Sequence, residues 1–231
     1  MKERGDDEKA PRRDAALTRQ RILDAARGEF SLHGYSGGRM DRIARAAGAN
    51  VQMIYRYFGG KDDLYLAVLE DTYGRIRALE RQLDLAAHPP VDGMRRLVEF
   101  TFDYLVENAD FVPIIRNENV AGGRFAKRSK VVPNTTPPLV AAIKDLLERG
   151  GAAGAFRAGV DPMQLYVTVL ALCFTHLSNR HTLSVMFQHD LGDPEWLAQR
   201  RRHVVEVVCA YLTKGPSEGR DQERHHQPAL P

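Results

Sequence analysis

The chain has 231 residues, of which 43% are hydrophobic and 27% charged, a balance typical of a globular protein with one large domain or two smaller ones. Its two cysteines exclude a disulfide framework and indicate a reducing compartment. The longest uncharged apolar stretch, about Leu165–Leu177, is shorter than the ~20 residues of a membrane span, and the first residues are charged, so we expect a cytoplasmic protein.

Positive charge is concentrated in one part of the chain. The formal net charge is only +3, but Leu17–Lys61 contains eight Lys and Arg against three Asp and Glu. The residues before this stretch sum to zero, and those after it carry a small negative charge. A local excess of this kind suits a polyanionic partner such as nucleic acid, the alternative being a solvated basic face without a ligand.

The N-terminal part of the chain predicts a disordered tail followed by a helix. Residues 1–16 mix both charges with almost no large apolar side chain, which is typical of disorder. Gly34 is a typical C-terminal residue for the helix that follows. That helix carries its apolar side chains on one face, at Ile22, Leu23, Ala26 and Phe30.

Met40–Phe58 has the pattern of two short helices joined by a tight turn. Gly48 can take the positive φ that turns the chain sharply, and Asn50 suits the N-cap of the second helix. Small Ala44 allows the two helices to approach closely, while Ile54 and Phe58 continue an apolar stripe. This pattern predicts a helix-turn-helix, whose second helix enters the major groove of DNA.

The rest of the chain reads as further helices. An apolar stripe follows Lys61 to about Ala86, and amphipathic stretches recur up to the glycine-rich loop at 150–159. Asp161-Pro162 and Asp193-Pro194 each place an acidic N-cap before a proline at the first helical position. The helix after Asp161 is apolar nearly all round, which implies burial on several sides.

These patterns predict an all-α fold of about nine helices, with no strand. A three-helix DNA-binding domain precedes a larger helical domain for ligand binding and dimerisation. We place the boundaries at 1–16 for an N-terminal tail, 17–61 for the helix-turn-helix domain, 62–213 for the larger domain and 214–231 for a flexible C-terminal tail.

The N-terminal third resembles the TetR family of bacterial transcriptional regulators. The match covers about Thr18 to Val68, and its combined spacing is more specific than a helix-turn-helix alone. The residues that carry it are Thr18, Ile22, Leu23, Ala25, Ala26, Phe30, Gly34, Tyr35, Ile43, Ala44, Ala47, Gly48, Ile54, Tyr55, Tyr57, Phe58, Lys61 and Leu64.

The resemblance implies a homodimer whose paired recognition helices bind a palindromic operator in double-stranded DNA. It also implies a small-molecule effector, bound in the C-terminal domain, that alters the spacing of the two helices. Asn50 to Arg56 matches the recognition helix, and Tyr55 and Lys61 match phosphate-contacting positions. From this match we expect Arg39, Asn50, Val51, Gln52, Met53 and Arg56 to face the groove.

The residues themselves support several of these roles. Because Ile54 and Phe58 claim the core face at a period of 3.6, Tyr55 points away from the core, whereas Tyr57 lies at its edge. Lys61 follows two glycines but is not a phosphate-loop lysine, since that motif needs Ser or Thr where Asp62 stands. At a helix N-terminus, Lys61 suits a DNA phosphate instead.

One departure from the family pattern concerns the start of the second helix. The family usually has a hydroxyl residue near Gly38, and Gly37-Gly38-Arg39 supplies none. Either Gly38 caps weakly, or Arg39 exchanges a capping contact for a phosphate contact. We therefore expect this start to be the least rigid part of the motif.

Candidate ligand contacts are polar side chains on otherwise apolar helices. They could converge in a cavity and orient a small molecule, or each could be satisfied by its neighbours or by the dimer partner. These candidates are Tyr104, Asn117, His176 and Asn179. We expect the last two predicted helices of each subunit to form the dimer interface.

The function that fits these features is a ligand-responsive, DNA-binding transcriptional regulator, a repressor rather than an activator. Motifs of common enzymes, metal sites and nucleotide-binding sites are missing, so we predict no enzymatic activity, no metal and no cofactor. We interpret Glu70, Asp71 and Glu99 as solvent-facing charges. The alternatives are an all-α protein that only binds small molecules, and an architectural DNA-binding protein without an effector.

Overall fold

A computed structural model describes residues 9–213, which fold into ten α-helices and three short 3₁₀ helices, without a strand in that range. The all-α fold class is confirmed. The α-helices are α1 (Lys9–Gly37), α2 (Met40–Ala46), α3 (Val51–Phe58), α4 (Lys61–Gln82), α5 (Pro90–Glu107), α6 (Phe111–Val120), α7 (Pro137–Ala152), α8 (Pro162–Ser178), α9 (Arg180–Phe187) and α10 (Pro194–Thr213). None of them is long and apolar enough to cross a membrane.

The first helix begins earlier than the composition predicts. α1 starts at Lys9, so the second half of the segment expected to be disordered is helical. Gly34 does mark the end of the regular helix, because its φ of 64° and ψ of −178° kink the chain before Gly37. The C-terminal tail predicted at 214–231 lies outside the described residues.

The N-caps predicted before Pro162 and Pro194 are confirmed, but the short helix α9 between them was not predicted. The carboxylate of Asp161 accepts from the Gln164 N–H at 2.7 Å, and that of Asp193 accepts from the Trp196 N–H at 3.0 Å. α9 has no side-chain N-cap, and none of its side chains is buried. Since a helix without a cap or a buried stripe has no distinctive pattern, its sequence does not predict it.

The hydrophobic side chains form two cores. The first joins α1, α2, α3 and the first half of α4, and it also takes in Ile114 of α6 and Phe125. The second lies among the C-terminal half of α4, α5, α7, α8 and α10. α4 therefore contributes to both cores, and the boundary placed at residue 61 stays a prediction.

Arg27 ties the N-terminal helices to the larger domain. Its guanidinium lies 3.1 Å from the carboxylate of Asp71 on α4 and 3.7 Å from that of Asp110 beside α6, and it also pairs with Asp24. Asp71 is thus engaged in a tertiary contact rather than facing solvent freely. Similarly, Glu70 accepts from the Ser129 hydroxyl at 2.6 Å.

Candidate nucleic-acid interface

The turn between α2 and α3 forms as the glycine predicts. Gly48 has a φ of 61°, and the Ala49 N–H donates to the Ala44 carbonyl at 2.9 Å. Both Ala44 and Ala47 are buried, so the small side chains let α3 pack close to α2. The orientation of α3 is therefore set by local sequence.

Asn50 caps α3 and fixes its first turn. Its side-chain oxygen accepts from the Met53 N–H at 2.8 Å, as expected of an asparagine N-cap. Ile54 and Phe58 are buried against α1 and α4. With these anchors in place, the opposite face of α3 is held out to solvent.

That opposite face presents three of the predicted contact residues together. Gln52, Tyr55 and Arg56 are exposed at positions i, i+3 and i+4, which places them on one side of the helix. Tyr55 is 52% exposed, so its ring and hydroxyl are accessible from solvent. Val51 and Met53 are half-buried and flank this face.

Lys61 lies at the first residue of α4, where no side chain caps the helix. Its ammonium is 4.8 Å from the centroid of the Tyr35 ring and 3.5 Å from the Ser36 carbonyl. The neighbouring backbone amides of α4 lack helical partners and favour an anion. The Tyr35 hydroxyl donates to Asp62, and this hydrogen bond lowers the pKa of that carboxyl.

The start of α2 is capped from another helix, which neither alternative anticipated. Glu29 of α1 accepts from the Arg39 N–H at 2.9 Å and pairs with the Arg42 guanidinium. Arg39 makes no side-chain cap; its side chain is exposed and, within residues 9–213, pairs only with Asp41, at 3.1 Å. Since Glu29 lies ten residues before Arg39, no local capping pattern could reveal it.

The missing hydroxyl at position 38 also has a packing reason. A Cβ added to Gly38 would lie 2.5 Å from a ring carbon of Phe30, whose side chain is fully buried. A serine there would have to displace the core of the domain. Gly38 therefore leaves room for the Phe30 ring, while Glu29 supplies the cap that a side chain at position 38 cannot.

Replacing Glu29 with alanine should destabilise the N-terminal domain by about 1–3 kcal/mol, because the Arg39 N–H loses its acceptor and Arg42 loses its carboxylate partner. Urea unfolding would measure the loss. Glu29→Gln keeps one acceptor oxygen and should cost less. An alanine variant as stable as the parent would show that the cap contributes nothing.

The four candidate ligand residues lie in different places. Asn117 packs against Gly34 at the kink of α1, and Asn179 is exposed at the end of α8. His176 is buried between Phe102 and Trp196, with ring centroids 5.2 and 5.6 Å away. Tyr104 lines an open cleft beside α4 and α10 that none of the other three reaches. Their role as ligand contacts stays a prediction.

A buried ionic group on α4 was missed by sequence reasoning. Arg77 Nη1 lies 2.5 Å from a carboxylate oxygen of Glu80 and 2.9 Å from the Tyr166 hydroxyl. All three residues are buried, and Arg77 Nε has no hydrogen-bond partner among the described residues. Arg77 and Glu80 line a cleft of about 230 Å³ between α4 and α7.

Comparisons with known proteins agree with this geometry. Residues 22–68 match the model of bacterial regulatory proteins of the tetR family, and residues 90–208 match the tetracyclin repressor-like C-terminal domain. The chain is 37% identical over 181 residues to the HTH-type transcriptional repressor NicS of Pseudomonas putida, covering 78% of this chain and 85% of that one.

Two further similarities extend the comparison. The HTH-type transcriptional repressor AcnR of Corynebacterium efficiens is 37% identical over 154 residues, which cover 65% of this chain and 76% of that one. The structure of the ketosteroid transcriptional regulator KstR2 of Mycobacterium tuberculosis superposes with a TM-score of 0.65 at 19% identity, covering 85% of this chain and 95% of that one.

Proposed function

The chain belongs to the TetR family of bacterial transcriptional regulators, and from that premise we propose that it represses transcription by binding a palindromic operator as a homodimer. Proteins of this family are ligand-responsive DNA-binding regulators rather than enzymes. The observation that carries the proposal is the exposed face of α3, where Gln52, Tyr55 and Arg56 stand on a helix capped by Asn50. We assign base contacts to this face.

The predicted contact residues divide into two groups by the part of DNA they meet. Gln52 and Arg56 carry the donors and acceptors that read base edges, with Asn50, Val51 and Met53 lining the groove around them. Tyr55 and Lys61 carry donors that suit phosphates at the borders of the groove. Arg39 was predicted to face the groove, and a phosphate contact is its alternative role. Lys61 is helped by the uncapped amides of α4.

The two groups should respond differently to substitution. Tyr55→Phe removes only a hydroxyl and should weaken binding to all operator variants about equally, whereas Gln52→Ala should relax the preference at one base pair by about 1–3 kcal/mol. Fluorescence anisotropy with a set of single-base operator variants would separate these outcomes. Unchanged affinity and unchanged base preference in both variants would refute the assignment of α3.

We place the dimer interface on α8 and α10, the last two helices predicted from the sequence. In one chain, Met163 and Val167 of α8 are more than half exposed, as neighbours on one helical face. Val207 and Tyr211 of α10 are exposed at the same spacing. An apolar surface of this kind on two adjacent helices is typical of a subunit contact. A bundle formed there would hold the two α3 helices roughly 34–36 Å apart, one turn of DNA.

For the effector, the cleft at Arg77 and Glu80 is the site we favour. It combines apolar walls with the polar side chains of Arg77 and Glu80, which suits a small molecule that is mostly apolar and carries a polar group. Ala142 lies on the α7 wall of this cleft. Filling the cleft by Ala142→Leu should prevent operator release by any compound that releases the parent; continued release would place the effector elsewhere.

A further inference from the structure

A strongly basic segment follows α6, outside the helix-turn-helix. Residues 124–130, here called the basic segment, read RFAKRSK and contain four Lys or Arg without an acidic residue. No Asp or Glu occurs between Glu118 and Asp145. All four cationic residues are exposed. Neither the helix-turn-helix nor the proposed effector cleft uses this charge.

The basic segment is held rigidly against the N-terminal core. The Phe125 ring is buried, with its centroid 4.9 Å from that of Tyr35 and 4.7 Å from that of Tyr65. The buried carboxylate of Glu118 accepts from the N–H groups of Phe125 and Ala126, at 2.7 and 2.9 Å. A loop anchored in this way presents its charges at fixed positions, at little entropic cost on binding.

Its arginines lie beside the phosphate-binding end of α4. Arg124 Cζ is 5.4 Å from the centroid of the Tyr35 ring, the same ring that Lys61 approaches to 4.8 Å. Arg124 and Arg128 both reach the carboxylate of Asp62, at 3.4 and 3.2 Å. The cations of the larger domain and of the DNA-binding domain therefore form one continuous surface around Asp62.

We propose that the basic segment is a second DNA-contacting element, which binds the sugar–phosphate backbone just outside the half-site read by α3. This inference rests on the proposed function, because it assumes that α3 lies in the groove of the same duplex. Guanidinium groups suit phosphates because their planar donors bind two oxygens at once. Asp62 orients Arg124 and Arg128 in the free protein, and the exposed pairs are weak enough for phosphates to replace them.

The direct test compares salt dependence of operator binding. In Arg124→Gln/Arg128→Gln, the slope of log K against log salt should become shallower by roughly 3.6, since each of the two subunits loses two phosphate contacts and each contact removes about 0.9. Affinity at physiological salt should fall about tenfold or more, with the base preferences unchanged. Lys144→Gln/Arg95→Gln, two exposed cations on α7 and α5, is the charge-matched control and should keep the parent slope.

A second measurement separates phosphate contact from a structural role. Trimming the duplex to the half-sites should weaken the parent protein but have little further effect on the double variant, because the contact it lost lay in the trimmed flanks. Equal weakening of both proteins on trimming, or a lower melting temperature with an unchanged salt slope, would overturn the inference.

The proposed function fails in a different way. If the parent protein shows no preference for any operator, α3 is not a recognition helix. That failure is seen in the parent protein, whereas failure of the basic segment is seen only in the comparison of the parent with the double variant. Lys127→Gln/Lys130→Gln guards against a folding defect, because these exposed side chains lie outside the Asp62 pairs. If neither double variant changes the slope in a folded protein, the basic segment does not touch DNA.

Discussion

Val167→Glu is expected to convert the proposed dimer into a monomer and to lower operator affinity at least a hundredfold. Val167 is 56% exposed on α8, one helical turn from the equally exposed Met163. A glutamate buried against its symmetry mate would place two like charges in an apolar contact, which is costly. Without the dimer, the two α3 helices bind separately, and the ~10²–10⁴ gain from linked binding is lost.

Sedimentation velocity would measure the mass, and anisotropy the affinity. Val120→Glu is the matched control, because Val120 is also a highly exposed valine but lies at the end of α6. It should leave the protein dimeric. A dimeric Val167→Glu variant, or a parent protein that is monomeric at micromolar concentration, would contradict the assignment of α8 and α10.

Acidification should destabilise the protein through His176 by up to about 3 kcal/mol between pH 6.5 and pH 4. Burial, together with the charge of Arg200, lowers the pKa of His176 to about 4 from an ordinary value of 6.5. In this range the unfolded chain binds a proton at His176 and the folded protein does not. The free energy of unfolding therefore falls as the pH decreases through this window and is insensitive to His176 above it.

The comparison that isolates this residue is with His176→Leu, which replaces the imidazole between Phe102 and Trp196 with an apolar side chain that does not titrate. Carboxylates also titrate in this range, so the quantity of interest is the difference between the two proteins. As the pH falls, the unfolding free energy of the leucine variant should rise relative to that of the parent protein. Parallel curves from pH 7 to pH 4 would mean that His176 does not titrate as its burial requires.

The parts of the interface that sequence predicted are those determined within a few residues. The positive φ of Gly48, the cap by Asn50 and the core face of Ile54 and Phe58 each depend on local geometry and helical periodicity. The exposure of Tyr55 follows from the same periodicity. For this reason α3 and its exposed face could be located without a structure.

The parts that sequence missed depend on contacts between distant residues. Glu29 caps α2 from ten residues away, and the basic segment reaches Asp62 across more than sixty residues. Arg77 and Glu80 look like ordinary surface charges until Tyr166 of α8 covers them. Burial and pairing of this kind arise from tertiary packing, so they cannot be predicted from a short stretch of sequence.

This structure also changes the interpretation of the start of α2. The sequence left two possibilities, a weak cap by Gly38 or a phosphate contact by Arg39, and predicted that this start is the least rigid part of the motif. Instead, the carboxylate of Glu29 holds the Arg39 N–H while Arg42 donates to the Gly37 carbonyl at 2.8 Å. The backbone of Arg39, a predicted contact residue, is therefore held by hydrogen bonds, while its exposed side chain pairs with Asp41.

As a dimer, the protein should read a specific operator through α3. Nuclease footprinting and anisotropy titration on the DNA upstream of the protein's own gene measure whether it does. We predict two symmetric protected half-sites about one DNA turn apart, with an affinity that falls steeply as salt rises and that exceeds the affinity for random DNA at least a thousandfold. Equal affinity for the upstream DNA and random DNA at every salt concentration would contradict it.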